Sequence, residues 1–197
     1  MSFFEFFLNL ALTFVELYGL IGVSFLSAIE IVITPIPSEV ILPLVGYIAF
    51  LKNDFIFLIT AILLSTSSTL MGSFVLYYVG YVGRIYLLKY FLLSKKKLKK
   101  AEEWFEKYGY KTVFFCRFVP GLRSIISIPA GVVKMDLKKY SLYSFLGFLI
   151  WNSFLINFGY FLKENWSFIM SYSKLLDIIG IFVVFLAIIY FIIKIKK

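Results

Sequence analysis

Residues 55–80, "FIFLITAILLSTSSTLMGSFVLYYVG", contain no charged side chain. A helix of about 20 apolar residues crosses the hydrocarbon core of a bilayer. Residues 140–162 form a second such stretch, bounded by Lys138-Lys139 and Lys163-Glu164, and residues 175–193 form a third, ending in "KIKK". Composition agrees: 61% of the 197 residues are hydrophobic and 16% charged, whereas soluble domains are about 45–50% apolar and about 25% charged. The chain therefore reads as an all-α integral membrane protein in a single membrane domain. Its 24 Phe and 14 Tyr suit lipid-facing surfaces and interfacial belts.

Several function classes fall away at once. The chain has no histidine, which removes the commonest general base and metal ligand and any Ser-His-Asp or Cys-His nucleophile. Nothing in the sequence calls for a cofactor or a metal, and the expectation is a protein that is not an enzyme. Cys116 is the single cysteine, so no disulfide forms within the chain. The net charge of +9 is spread between apolar spans. In a membrane protein that pattern is the cytoplasmic bias plus attraction to anionic lipids, not a nucleic-acid surface. The opening "MSFFEFFLNL" lacks the basic start and small-residue site of a cleaved leader.

Basic residues set the topology. None precedes Lys52, and clusters occur at 95–100, 134–139 and 194–197. Placed on the cytoplasmic side, the last two clusters frame two clean crossings. Residues 110–133 then leave from one cytoplasmic cluster and return to another. They are too few for two full crossings at 1.5 Å per residue, so they should dip in and come back. Residues 20–51 behave the same way from the outer face. The predicted architecture is an inverted repeat of two re-entrant helical hairpins, 20–51 and 110–133. Each is followed by a transmembrane helix, 55–80 and 140–162, with a C-terminal transmembrane helix at 175–193. Residues 1–18 are expected as an N-terminal interfacial helix, and 95–109, "KKKLKKAEEWFEKYG", as a cytoplasmic amphipathic helix.

Chemistry concentrates at the breaks. In "EIVITPIPSEV", residues 30–40, Pro35 and Pro37 mark the tip of the first hairpin; in "CRFVPGLRS", residues 116–124, Pro120 and Gly121 mark the second. "IPAG", 128–131, is expected to add a break at Pro129 and Gly131. Irregular backbone at membrane depth survives only where it lines a protein-walled or watery cavity. Glu30 and Glu39 flank the first tip, Arg117 and Arg123 the second. Each such charge costs roughly 2.5–3.5 kcal/mol at the bilayer centre on the insertion scale. The four must therefore face each other, a cavity or a ligand. One reading is a pair of structural ion pairs pinning the hairpins together. The other is a polar site in which Arg117 and Arg123 hold an anion, phosphate suiting the guanidinium fork well, while Glu30 and Glu39 carry protons.

Weaker signals surround these. "STSST", 65–69, either lines a polar path or packs against neighbouring helices. Gly72, Gly80 and Gly83 suit close helix packing and lie in no P-loop pattern. Asn152 and Asn157 fit interhelical hydrogen bonds or the site itself. The lysines at 95–100 read as a cytoplasmic anchor, with headgroup recruitment as the second reading.

Four stretches carry a resemblance: an early acidic residue, the "PIPSEVILPLVGY" hairpin, "YYVGYVGR", and "RFVPGLRSIISIPAGVVKMDLKKY". Over residues 15–165 the chain resembles the DedA family, also called SNARE-associated or VTT-domain proteins. It is most similar to the branch proposed to return undecaprenyl phosphate across the bacterial plasma membrane. The resemblance implies a multi-pass plasma-membrane protein with two opposed re-entrant hairpins and a lipid phosphate substrate, transport being proton-coupled. Alternatives within the same frame are a phosphatidylethanolamine flippase or scramblase and a proton-dependent small-molecule transporter. The family's acidic pair corresponds to Glu30 and Glu39 and its arginine pair to Arg117 and Arg123. In some members the second acidic residue is an aspartate in a differently spaced loop. A homo-oligomer stays open.

Overall fold

The computed structural model describes residues 3–32, 38–90, 95–119 and 121–162. These residues form seven helices and no strand: α1 Phe3–Val32, α2 Ser38–Leu51, α3 Phe55–Tyr90, α4 Lys95–Cys116, α5 Leu122–Ile125, α6 Ser127–Val132 and α7 Leu137–Leu162. The expected span 175–193 and the prolines Pro35, Pro37 and Pro120 lie outside the described residues.

Local chemistry sets several boundaries. Within α1 the helix is interrupted at Gly19, whose φ of 55° and ψ of −131° suit glycine and few other residues. Residues 3–18 and 20–32 are therefore two helical pieces meeting at a bend. α3 starts where the Asp54 Oδ1 accepts the Phe57 amide at 2.9 Å, and α7 starts where Asp136 Oδ1 accepts the Lys139 amide at 2.9 Å. Both long helices thus open on an aspartate cap. Their apolar parts, Phe55–Arg84 and Leu137–Leu162, are long and apolar enough to cross a membrane.

Three elements differ from expectation. α3 continues past residue 80 to Tyr90, because Arg84 has partners beside the helix: Glu102 of α4 at 2.5 Å and the Val132 carbonyl at 3.0 Å. The surface helix does not end at Gly109; α4 runs unbroken to Cys116, so residues 110–116 continue it. Pro129 and Gly131 are not breaks either. Both lie inside α6, Pro129 in its first turn, where an amide has no helical carbonyl to bond in any case. The chain turns instead at 117–119 and at Gly121, whose φ is 77°, and again at Ile126 between α5 and α6.

Packing follows a crossed pattern. α1 lies on α3 and α4 on α7, whereas α2 lies on α7 and α6 on α3, with α3 and α7 in contact. Each long helix thus holds the first arm of its own half and the second arm of the other. The crossed contacts are backbone-close. A methyl added at Gly46 or Gly159 would strike the Ile156 or Pro43 carbonyl, and one added at Gly80 or Gly131 the Ile128 or Tyr77 carbonyl. Small residues permit such approach between apolar helices. Ile56, Leu63 and Met71 of α3 and Leu142, Phe154 and Phe161 of α7 face outward, a surface suited to lipid tails.

Candidate functional site

Glu30 sits in the last turn of α1, 2% exposed, and its Oε1 accepts a hydrogen bond from the Arg123 guanidinium at 2.5 Å. Arg123 rides on the short helix α5 and is 4% exposed. The ion pair joins residues 93 apart in sequence and is buried on both sides. A charge-assisted contact of this kind is among the stronger hydrogen bonds a protein makes.

Arg117 lies behind that pair and is fully buried, at 0% exposure. One of its terminal nitrogens donates to the backbone carbonyl of Arg123 and to Ser127 Oγ at 3.2 Å. The other donates to Tyr140 Oη at 3.0 Å and Ser144 Oγ at 2.8 Å. Its guanidinium carbon stands 4.4 Å from the centre of the Phe148 ring and 5.5 Å from that of Tyr140, within cation–π range. Tyr140 passes the connection on by donating to the Ser73 carbonyl at 3.1 Å. Gly147 makes the room: a side chain there would run into the aliphatic stem of Arg117.

Of the four charged residues singled out in the sequence, three come together and the fourth stands at the edge. Glu39 is exposed in the first turn of α2, where a carboxylate complements the helix dipole. It lies close enough to Glu30 to act on it electrostatically. Pro43, one turn further along α2, has no amide to offer the Glu39 carbonyl, which therefore lacks its usual helical donor.

Sequence reasoning missed the residues around Arg117: Ser127, Tyr140, Ser144 and Phe148. A signal existed, since 140, 144 and 148 repeat at helical spacing and lie on one face of α7. Three polar atoms of the charged cluster have no hydrogen-bond partner among the described residues: Glu30 Oε2, Arg123 Nη1 and Arg117 Nε. The site thus has two buried guanidinium donors and one carboxylate acceptor in reserve. Among the described residues no group of three or more acidic or cysteine side chains could hold a metal ion.

The VTT domain family model matches residues 36–161, which include α2 through almost all of α7. The chain belongs to the VTT-domain family. VTT-domain relatives extend the match over nearly the whole chain. An "alkaline phosphatase-like protein" of Lactococcus lactis subsp. lactis is 39% identical over 90% of this chain and 88% of its own length. The "undecaprenyl phosphate transporter A" of Staphylococcus aureus is 33% identical over 92% of both chains. The protein of that name in Bacillus subtilis is 32% identical over 93% of this chain and 92% of its own. No solved structure matches. Like other VTT-domain proteins of the DedA family, the chain is a membrane protein.

Proposed function

We propose that this VTT-domain protein translocates a lipid phosphate across the bacterial plasma membrane, with undecaprenyl phosphate as its cargo. Two relatives that align along almost their full length carry the name of undecaprenyl phosphate transporter. The single observation that carries the reading is the buried Glu30–Arg123 pair with Arg123 Nη1 unpartnered among the described residues. Arg123 is already committed to a carboxylate and retains a donor for a second oxyanion.

The mechanism follows from competition. A phosphate headgroup entering the site and the Glu30 carboxylate seek the same guanidinium. When Glu30 takes up a proton, Arg123 is released to the phosphate through its planar fork. When Glu30 loses the proton, it reclaims Arg123 and the headgroup leaves. The charges facing Glu30 are Arg123 on α5 and Glu39 on α2, with Arg117 behind; α3 carries no charged residue between Phe55 and Gly83. Glu39, exposed beside the pair, is the natural proton donor from water. The polyprenyl tail stays in lipid throughout.

In this reading the two halves are inverted repeats with re-entrant hairpins inserted from opposite leaflets. The crossed packing, the matched aspartate caps and the matched glycine contacts support it. Discontinuous helices meeting near the midplane are where secondary transporters bind substrate. We place transport ahead of hydrolysis despite the Lactococcus name, because a phosphatase needs an activated nucleophile and the chain has no histidine to serve as its base.

The test measures outer-leaflet undecaprenyl phosphate in cells lacking every VTT-domain relative, with and without this chain. Unchanged exposure ends the reading. Purified protein in vesicles with labelled lipids separates the alternatives: equal movement of all headgroups points to a scramblase, and release of inorganic phosphate to an enzyme.

A further inference from the structure

A second buried polar group lies one turn of α1 away from Glu30 and takes no part in the mechanism above. Ser65, Thr66 and Thr69 of α3 are all at 0% exposure, and Thr66 shares a helix face with Thr69 at i, i+3. Thr69 Oγ1 donates to the Ser27 carbonyl at 3.3 Å, and Asn152 Nδ2 donates to Ser65 Oγ at 3.4 Å. Residues 65–69 span about one helical turn, roughly 5.4 Å, so Ser27 of α1 and Asn152 of α7 converge on a single level of α3.

Hydroxyls in an apolar helix usually bond back to their own turn and need nothing else. Ser65 does so, donating to the Ile62 carbonyl at 3.1 Å. That fixes the Asn152 amide: the Ser65 proton is used, so the group facing it must be the donor, and the Asn152 oxygen is left aimed elsewhere. Three side-chain atoms on three helices, Ser27 Oγ, Thr66 Oγ1 and Asn152 Oδ1, are buried with no hydrogen-bond partner among the described residues. A fourth such atom, Glu30 Oε2, lies three residues beyond Ser27 on α1, which at i, i+3 is the same helix face.

Buried polar atoms without protein partners are sites for ordered water, which makes about three hydrogen bonds in such places. Hydroxyls and amide oxygens that alternate with water can also relay a proton. We propose that Ser27, Thr66 and Asn152 line a hydrated proton route, around one turn of α3, that ends on the Glu30 carboxylate. The proposal rests on the proton coupling of Glu30 inferred above and adds the groups that deliver the proton. Along the route the side chains are neutral; the charged groups at its end are Arg123 and Glu39, with Arg117 behind.

The experiment has two arms. In a Cys116→Ser background, Ser27→Cys, Thr66→Cys and, as a dry control, Leu42→Cys are exposed to silver ion, which is small enough to follow water. Reaction is read as protection from later alkylation in denaturant. Silver should reach residues 27 and 66 and spare residue 42, which is fully buried among apolar side chains; equal protection of all three overturns the route. In the second arm, vesicles containing the intact chain and a pH-sensitive dye receive a pH step. Thr66→Val and Asn152→Leu should slow proton flux on the order of 100-fold, the low end of what a positioned proton-transfer group contributes. Thr66→Ser, which keeps the hydroxyl, should restore it. Unaltered flux in the Val and Leu variants, or no flux through the intact chain, overturns the proposal. Proton flux without lipid movement ends the cargo reading and leaves the route standing.

Discussion

Arg117 donates a hydrogen bond to the backbone carbonyl of Arg123, so one buried guanidinium fixes the position of the other. The two arginines look equivalent in sequence and are not equivalent in space. Arg117 spends both terminal nitrogens on protein oxygens and rests on an aromatic ring. Among the described residues the Arg123 side chain makes one hydrogen bond, to Glu30, and keeps a donor in reserve. The division of labour that follows is that Arg117 positions and Arg123 binds.

Arg117→Lys therefore acts first on stability. An ammonium is a compact charge and cannot reach Ser127, Tyr140, Ser144 and the Arg123 carbonyl together. Leaving buried partners unsatisfied costs about 1–3 kcal/mol each, and relaxation keeps the total to roughly 3 kcal/mol. The thermal midpoint in detergent should fall, and headgroup binding should fall with it. A variant with unchanged midpoint and lost binding would show that Arg117 touches the substrate itself.

Arg123→Lys has the opposite profile. The lysine can still pair with Glu30 as a point charge, so the midpoint should change little. The planar fork is gone, and with it bidentate hold on a phosphate. Affinity of the purified protein for a short-chain polyprenyl phosphate should drop about tenfold, equivalent to about 1.4 kcal/mol. Calorimetric titration measures it directly.

Much of the helical architecture was legible from length alone, because apolar runs such as 55–80 have few alternatives in a bilayer. Charge made it legible that Glu30, Arg117 and Arg123 need partners. Which partner each finds was not legible, because that depends on how α1 and α7 register against α5 and the 117–119 turn. The spacing of Tyr140, Ser144 and Phe148 fits an ordinary packing face equally well. Pro129 looked like a break because proline stops helices from within, yet in the first turn of α6 it does no harm. The amphipathic pattern covers 95–109, and α4 continues through Gly109 to Cys116 because a lone glycine costs only about 1 kcal/mol there.

The crossed packing of α2 on α7 gives a stability prediction away from the charges. Gly159→Ala places a methyl against the Pro43 carbonyl, which is backbone and has no rotamer to yield. Overpacking of this kind costs about 1–3 kcal/mol. Gly83→Ala, where an added methyl meets nothing within 4 Å, should leave the midpoint unchanged or slightly raised. Thermal denaturation of the two variants side by side checks the contact, and similar behaviour would argue against it.

The Glu30–Arg123 pair itself separates structure from function. Removing one partner of a buried ion pair leaves an uncompensated charge and typically costs about 3–5 kcal/mol, whereas replacing both by apolar groups of similar size is often neutral or stabilising. Glu30→Met should therefore lower the thermal midpoint sharply, and Glu30→Met with Arg123→Met should recover most of the loss. If the pair merely pins α1 to α5, the recovered double variant should also recover translocation. If Arg123 is the group that Glu30 and the headgroup compete for, the double variant is stable and inert. Glu30→Gln sharpens the distinction, because an amide can still accept from Arg123 but holds it without a negative charge. Headgroup binding by this variant should be tighter than in the unaltered protein and should no longer weaken as pH rises, while translocation stalls for want of the charge that expels the cargo. Binding titrations across a pH series, set beside vesicle transport, would expose a purely structural pair as one whose loss moves stability and nothing else.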